Sequence, residues 1–386
     1  MSTPPVMEED FPDQESAPPE TQVGAEENSL RVWVLRILSA LVVPALLVVF
    51  FFTFEVLQDP GTNKLLQIVI AVVVGVGGVW ILFWAMDRLV SSMPMRVQAA
   101  VRPFAFAGPA IILLGFYLVY PTVQTIILSF QDRAGEEFVG IDNYQRILTE
   151  SEYLVSIRNS ILWAIVVPIF ATAIGLAFAT LADRLPRRSE SAAKSLIFLP
   201  MGISFVAASV VWTFMYSYRS EGFGEQIGLL NAIVVAFGGD PIFWLQQQPW
   251  NNLFLMVILI WTQTGFAMII LSSALKGVPD DLLEAARIDG ANEWQVFRRI
   301  VIPTIASTIV VVWTTVLITT WKVFDIVWVM TGGADGTSVV AERMMTEFFR
   351  NSNDGLGAAL AVILLIVVTP ILVINIKRFQ EQEATR

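Results

Sequence analysis

Long apolar runs alternate with short polar segments along the 386-residue chain. A helix needs about 20 mostly apolar residues to cross a bilayer core. Eight stretches meet this need: about Ile37 to Phe54, Leu65 to Met86, Phe104 to Ile127, Ile161 to Leu181, Leu196 to Tyr216, Leu253 to Leu275, Ile305 through Trp321 to Met330, and Ala358 to Ile376. Buried helices of soluble proteins do not sustain such runs eight times over. The pattern therefore predicts an all-α polytopic membrane protein with about eight transmembrane helices.

Three of the intervening segments are long: Gln131 to Asn159, Ser217 to Asn252, and Thr331 to Gly357. The second holds Pro241, Trp244, Pro249 and Trp250 near the start of the next span. Those tryptophans suit either an interfacial belt or a docking surface. The first two spans are joined by the short link QDPGTNK, and the small residues Ala71 and Gly75 offer a neighbouring helix a close approach.

Composition agrees and narrows the chemistry. The chain is 55% hydrophobic and 15% charged, where a soluble domain carries about 25% charged residues. It has neither cysteine nor histidine. Disulfides, thiol nucleophiles, Ser-His-Asp triads, imidazole catalysis and the usual nitrogen and sulfur metal sites are thereby excluded.

Charge gives the orientation. With the N-terminus in the cytoplasm, the inner segments carry 16 Lys and Arg residues and the outer ones 7, with Lys322 inside the seventh span. Basic loops stay inside, so both termini are expected in the cytoplasm. The net charge of −10 is concentrated in residues 1–30, which hold eight acids, five prolines and no base. That segment has too little apolar surface to form a core and no basic start like that of a signal peptide. It is expected to be a disordered acidic cytoplasmic tail. Residues 31–100 would then form two accessory transmembrane helices and their link.

No energy source is legible. Of the five lysines, only Lys194 precedes a serine or threonine, and no glycine lies near it, so a phosphate-binding P-loop is absent. Intramembrane ionisable groups are confined to Lys322 and Asp325 in the seventh span, with Arg36 and Glu55 at span ends. An ion-coupled carrier usually has more. Energy must come from a partner.

The stretch after the sixth span, KGVPDDLLEAARIDGANEWQVFRRIVIP, is the most informative. Pro279 and Asp280 suit a helix start, and Leu282, Leu283, Ala286 and Ile288 give that helix an apolar side. Asp289-Gly290 breaks it. Asn292 with Gln295 is an N-cap pattern for a second helix, which Pro303 ends at the membrane. On these grounds alone the stretch is a helical hairpin beneath the bundle.

Glu284-Ala285-Ala286, three residues, Gly290, nine residues, then Ile300-Val301-Ile302-Pro303 resembles the EAA loop of binding-protein-dependent ABC importer permeases. Phe138-Val139-Gly140-Ile141-Asp142-Asn143-Tyr144, Phe198-Leu199-Pro200 and Thr331-Gly332-Gly333 are similar to segments of the carbohydrate-uptake branch. The resemblance covers about Phe104 to Arg378 and fits the maltose-type larger subunit, with wording like that of α-glucoside permeases. It implies a six-helix permease core over 101–386, with the coupling loop at 276–303, plus two extra N-terminal spans. It also implies a multi-pass protein of the bacterial inner membrane, in contact with lipid and with no nucleic acid. The partners implied are a second permease subunit, a dimer of ATP-binding subunits and an external solute-binding protein, serving a sugar substrate. The chain itself would be non-catalytic and bind no cofactor, ATP and Mg residing on the ATPase. Residue by residue, Glu284 would pair with a basic group of the ATPase, Ala285 and Ala286 would allow close approach, and Asp289-Gly290 would form the elbow.

Sugars require hydroxyl partners and flat apolar faces. Gln263 and Phe266 in the sixth span, and Thr320, Trp321, Lys322 and Asp325 in the seventh, fall where the resemblance places a transmembrane sugar cavity. The Asn-rich F-N-N-F segment of that family is replaced here by Trp321-Lys322-Val323-Phe324. Lys322 and Asp325, three apart on one expected helix face, would also pair with each other. Helix-packing glue and a structural lock remain the alternatives to a sugar site.

Overall fold

The computed structural model describes residues 41–384, apart from 43, 47, 60, 92, 94, 221 and 223. The acidic segment 1–30 and the start of the first predicted span lie outside the described residues. The chain divides into two compact units, 1–120 and 121–386. Helices account for all the regular structure among the described residues, apart from one isolated bridge between Gln131 and Phe138.

In the first unit, α1 (Pro44–Gln58) and α2 (Lys64–Ser91) form a hairpin. Its turn is held by Asp59, whose carboxylate accepts from the Gly61 amide at 2.9 Å and the Thr62 hydroxyl at 3.0 Å. Asn63 caps α2 by accepting from the Leu65 amide. Close approach occurs at Gly78, where an added Cβ would lie 2.8 Å from the Phe50 ring, and not at the expected Gly75, which faces open space. The following helix α3 spans Val97–Leu128.

The second unit continues with α4 (Asp142–Thr149), α5 (Ser151–Ala182), α6 (Arg187–Phe198), α7 (Phe205–Met215), α8 (Leu229–Ala236) and α9 (Asn251–Lys276). Then follow α10 (Asp280–Ile288), α11 (Glu293–Thr304), α12 (Ala306–Trp321), α13 (Asp325–Met330), α14 (Val340–Phe349) and α15 (Asp354–Ala384). At the centre stands α9, with Leu255, Met256, Ile258, Leu259, Ala267, Met268 and Leu271 fully buried. It packs along α5, where Gly175 admits α9 so closely that a Cβ would stand 2.5 Å from that of Ala267. Val312 and Val316 of α12 complete this core.

Five helices (α2, α3, α5, α9 and α15) are long and apolar enough to cross a membrane, up to seven spans when each of two bent pairs is counted as one. With the shorter α1 these correspond to the eight predicted runs. Three details differ from the sequence pattern. Helix α5 begins ten residues before Ile161, because SEYLVSIRNS continues the helix beyond the apolar run; its 32 residues reach about 48 Å. The fifth run is not one rod: α6 and α7 meet at 102° across a tight turn at Leu199–Gly202. The seventh is bent by 69° at Ile305 and ends at Trp321, so Asp325 to Met330 form the separate helix α13.

Candidate functional site

The loop 276–303 folds as two helices around a rigid elbow. Pro279 is the N-cap of α10, Asp280 and Asp281 sit in its first turn, and Ala286 faces inward. The helix closes in a Schellman arrangement, with the Ala291 amide donating to the Ala286 carbonyl at 3.0 Å and the Gly290 amide to that of Arg287 at 3.1 Å. Gly290 takes φ +83°, which a residue with a Cβ rarely adopts. Asn292 and Gln295 then form a reciprocal capping box at 2.9 Å in each direction, opening α11 as the spacing predicts.

A salt bridge braces the elbow: Arg287 Nε donates to Glu293 Oε1 at 2.9 Å, which raises the Arg287 pKa above its ordinary value. Glu284, Ala285 and Asp289 lie exposed on the outer side, and Glu284 forms no hydrogen bond or ion pair within the described residues. Around it Leu282, Ile288 and Trp294 are 49%, 85% and 66% exposed. Exposed apolar side chains thus lie beside an unpaired carboxylate, on a loop held by its caps and by the Arg287–Glu293 bridge.

In the membrane region the predicted residues separate into two groups. Gln263 is 7% exposed on α9, and Phe266 packs against the central core. On another face of α9, Trp261 and Thr264 line an apolar cleft of about 440 Å³ with Phe178 and Pro200. Thr320 is buried and its hydroxyl donates to the Val316 carbonyl at 2.8 Å. Trp321 is buried with its indole N–H lacking an acceptor.

The expected Lys322–Asp325 pair on one helix face is not formed. Lys322 is the C-cap of α12, Phe324 leaves helical geometry at φ −131°, and Asp325 opens α13. No ion pair joins the two among the described residues. The reason is local: the backbone breaks between them, so the three-residue spacing no longer sets a shared face. Among the described residues both charges remain unpaired beside the break, and no hydrogen bond links this group to Gln263.

Sequence reasoning missed two arrangements. At the end of α9 remote from Lys276, asparagines hold the segment after α13. Asn159 Nδ2 donates to the carbonyls of Gly336 at 2.7 Å and Ser338 at 2.8 Å, Asn252 donates to Gly336, and Asn251 to Asp335. The two glycines of Thr331-Gly332-Gly333 take positive φ, and a Cβ on Gly333 would meet the buried Glu342 carboxylate at 2.6 Å. Nearby, Asn143 and Tyr144 of the FVGIDNY segment tie α4 to the end of α3 through Ser129 and Gln131.

The second arrangement lies at the Lys276 end. Lys194 donates to Asp183 at 2.6 Å, to Glu190 at 2.5 Å and to the Ser272 hydroxyl. Lys276 also pairs with Glu190. Only the i, i+4 spacing of Glu190 and Lys194 was readable in advance.

Comparison with known proteins places this architecture. Over 289 residues the chain is 52% identical to the α-glucoside transport system permease protein AglF of Rhizobium meliloti, covering 75% of this chain and 85% of that one. Over 281 residues it is 51% identical to the osmoprotective compounds uptake permease protein GgtC of Synechocystis, covering 73% and 100%. A solved bacterial ABC transporter involved in alginate import has the same fold, with a TM-score of 0.63 at 20% identity over 73% of this chain and 99% of that one. The model of the binding-protein-dependent transport system inner membrane component family matches residues 171–385, which include the elbowed loop and the central helix α9. This chain belongs to that family: it is a multi-pass membrane permease of the sugar ABC transporter type.

Proposed function

We propose that this chain is the larger permease subunit of an ATP-driven importer that moves an oligosaccharide, an α-glucoside, into the cytoplasm by alternating access. One observation carries the reading: the loop 276–303 presents Glu284 unpaired beside exposed Leu282, Ile288 and Trp294 on a fixed elbow. Such an edge suits an ATPase cleft, with Glu284 meeting a base, Ala285 exposed at the contact, and Asp289-Gly290 setting the angle of α11. ATP and Mg belong to the ATPase dimer. The remaining partners are a second permease subunit and an external solute-binding protein, in a bacterial inner membrane with both termini inside.

Identity with AglF supports the substrate class. A second reading, an osmoprotective solute, is favoured by the nearly equal identity with GgtC. In either case the sugar-contacting set is Gln263, Phe266, Thr320, Trp321, Lys322 and Asp325. The free indole N–H of Trp321 and the two unpaired charges supply donors and acceptors for hydroxyls. The test is uptake by a deletion strain carrying the restored gene, with labelled α-glucosides and a labelled small osmoprotective solute each offered alone and against the other. Restored α-glucoside uptake that osmolytes do not inhibit supports the first reading. Accumulation of the labelled osmoprotective solute with no α-glucoside accumulation replaces it with the second.

A further inference from the structure

The ionic cluster at the foot of α9 contains none of the residues assigned above to the sugar or to the docking edge, and it reaches the loop through Lys276. Lys276 is the last residue of α9 and the first of the loop. Its ammonium reaches Glu190 on α6, eighty-six positions away in sequence. Glu190 is shared with Lys194, one turn further along α6, and Lys194 in turn holds Asp183, at the end of α5. Ser272, one turn before Lys276, donates to the same Asp183 oxygen at 2.8 Å.

The side chains of Asp183, Glu190 and Lys194 are only 18%, 14% and 13% exposed, whereas that of Lys276 is 55% exposed. Three helix ends are therefore tied by a mostly enclosed network with Lys276 at its open edge, in close contact with Glu190 and at 3.9 Å from Asp183. Enclosed charge pairs fix geometry more than exposed ones, because less water competes for the partners. Beyond Glu190, α6 leads directly to the turn at Leu199–Gly202, where Ile197 and Phe198 press on Gly265 of α9. Thus α6 touches α9 at two places, one at the root of the loop and one in mid-span.

We propose that Glu190 is a positioning residue for transport: by holding Lys276 against α6, it makes a displacement of the loop 276–303 move α6 and its mid-span turn together with α9. This rests on the coupling role proposed above for that loop. A device of this kind is recognised by energetic coupling between its members, not by intermediacy alone. Removing the Glu190 charge should leave ATP hydrolysis running while sugar movement fails to follow.

The experiment uses the complete importer, with its binding protein, in liposomes. Sugar imported and ATP hydrolysed are measured together, alongside the amount of ATPase retained per permease. In Glu190→Gln, retained ATPase should stay at the wild-type level while ATP consumed per sugar rises by roughly 5-fold or more, the lower end of ordinary coupling between sites. Lys276→Gln should raise the ratio similarly, the double variant should add little to either, and Glu190→Asp should recover most of the coupling. A wild-type ratio in Glu190→Gln with normal assembly overturns the proposal. So does loss of ATPase with an unchanged ratio in the complexes that remain, which marks a structural brace. Should the wild-type complex itself show no ATP-driven uptake, the function proposed above falls, and this role with it.

Discussion

Gly265 of α9 lies beneath Ile197 so closely that a Cβ there would stand 2.6 Å from the Ile197 carbonyl oxygen and 2.7 Å from the Phe198 Cα. Both obstacles are backbone, so no side-chain rotation relieves them. Gly265→Ala is expected to force α6 and its turn away from α9, at a cost of about 1–3 kcal/mol as in other overpacked sites. The midpoint of thermal aggregation of the detergent-solubilised chain checks this, and it should fall. An unchanged midpoint would mean that the crossing is looser than described.

At Gly290 the constraint is of another kind. An added Cβ meets nothing within 4 Å, but φ is +83°. Gly290→Val is strained by about 1–2 kcal/mol through its backbone alone, and Gly290→Asn should suffer less. Uptake should follow the order glycine, asparagine, valine. Glu284→Ala should abolish uptake and weaken ATPase retention with no loss of stability, because its side chain is exposed and unpaired in this chain. Equal uptake by all these variants would remove the coupling role from the loop.

Much of this was legible in the sequence, and the rest failed for identifiable reasons. Apolar run length located the spans, and Asn292, Gln295 and Gly290 announced their capping box and elbow, because each acts over a few residues. The break after Trp321 was not visible. Val323, Phe324 and Ile326 continue the apolar pattern, and hydropathy does not register a local departure of φ and ψ. Nor was the cluster around Glu190, since Asp183, Ser272 and Lys276 meet it only through the packing of three helices. Likewise Asn159 reaches its carbonyl partners 177 and 179 positions away.

Those asparagine bonds make a separate prediction. Asn159→Leu removes both donors from the carbonyls of Gly336 and Ser338, the latter within a buried bond. The Gly336 carbonyl keeps its bond from Asn252, so the Ser338 carbonyl is the one left unpaired, at about 1–3 kcal/mol. Hydrogen exchange of residues 331–340 should accelerate, while the elbowed loop at the opposite end of α9 stays protected. Uniform acceleration at both ends would mean global destabilisation instead.

Because Lys322 is exposed and unpaired, Lys322→Ala should assemble as the wild type does, in contrast to the outcome for a broken buried pair, where about 3–5 kcal/mol would be lost. If Lys322 lines the sugar path, apparent affinity or sugar preference shifts with assembly intact. Should affinity and preference both stay unchanged, Lys322 is no part of the path.

The central claim, that transport through this chain is driven by a partner's ATP hydrolysis, is tested most directly by sugar accumulation in liposomes of defined composition. With the second permease, the ATPase pair, the binding protein and enclosed ATP, an α-glucoside should accumulate. Omitting ATP or the ATPase should reduce accumulation to background, whatever proton or sodium gradient is imposed. Accumulation by this chain alone under an ion gradient would contradict the account.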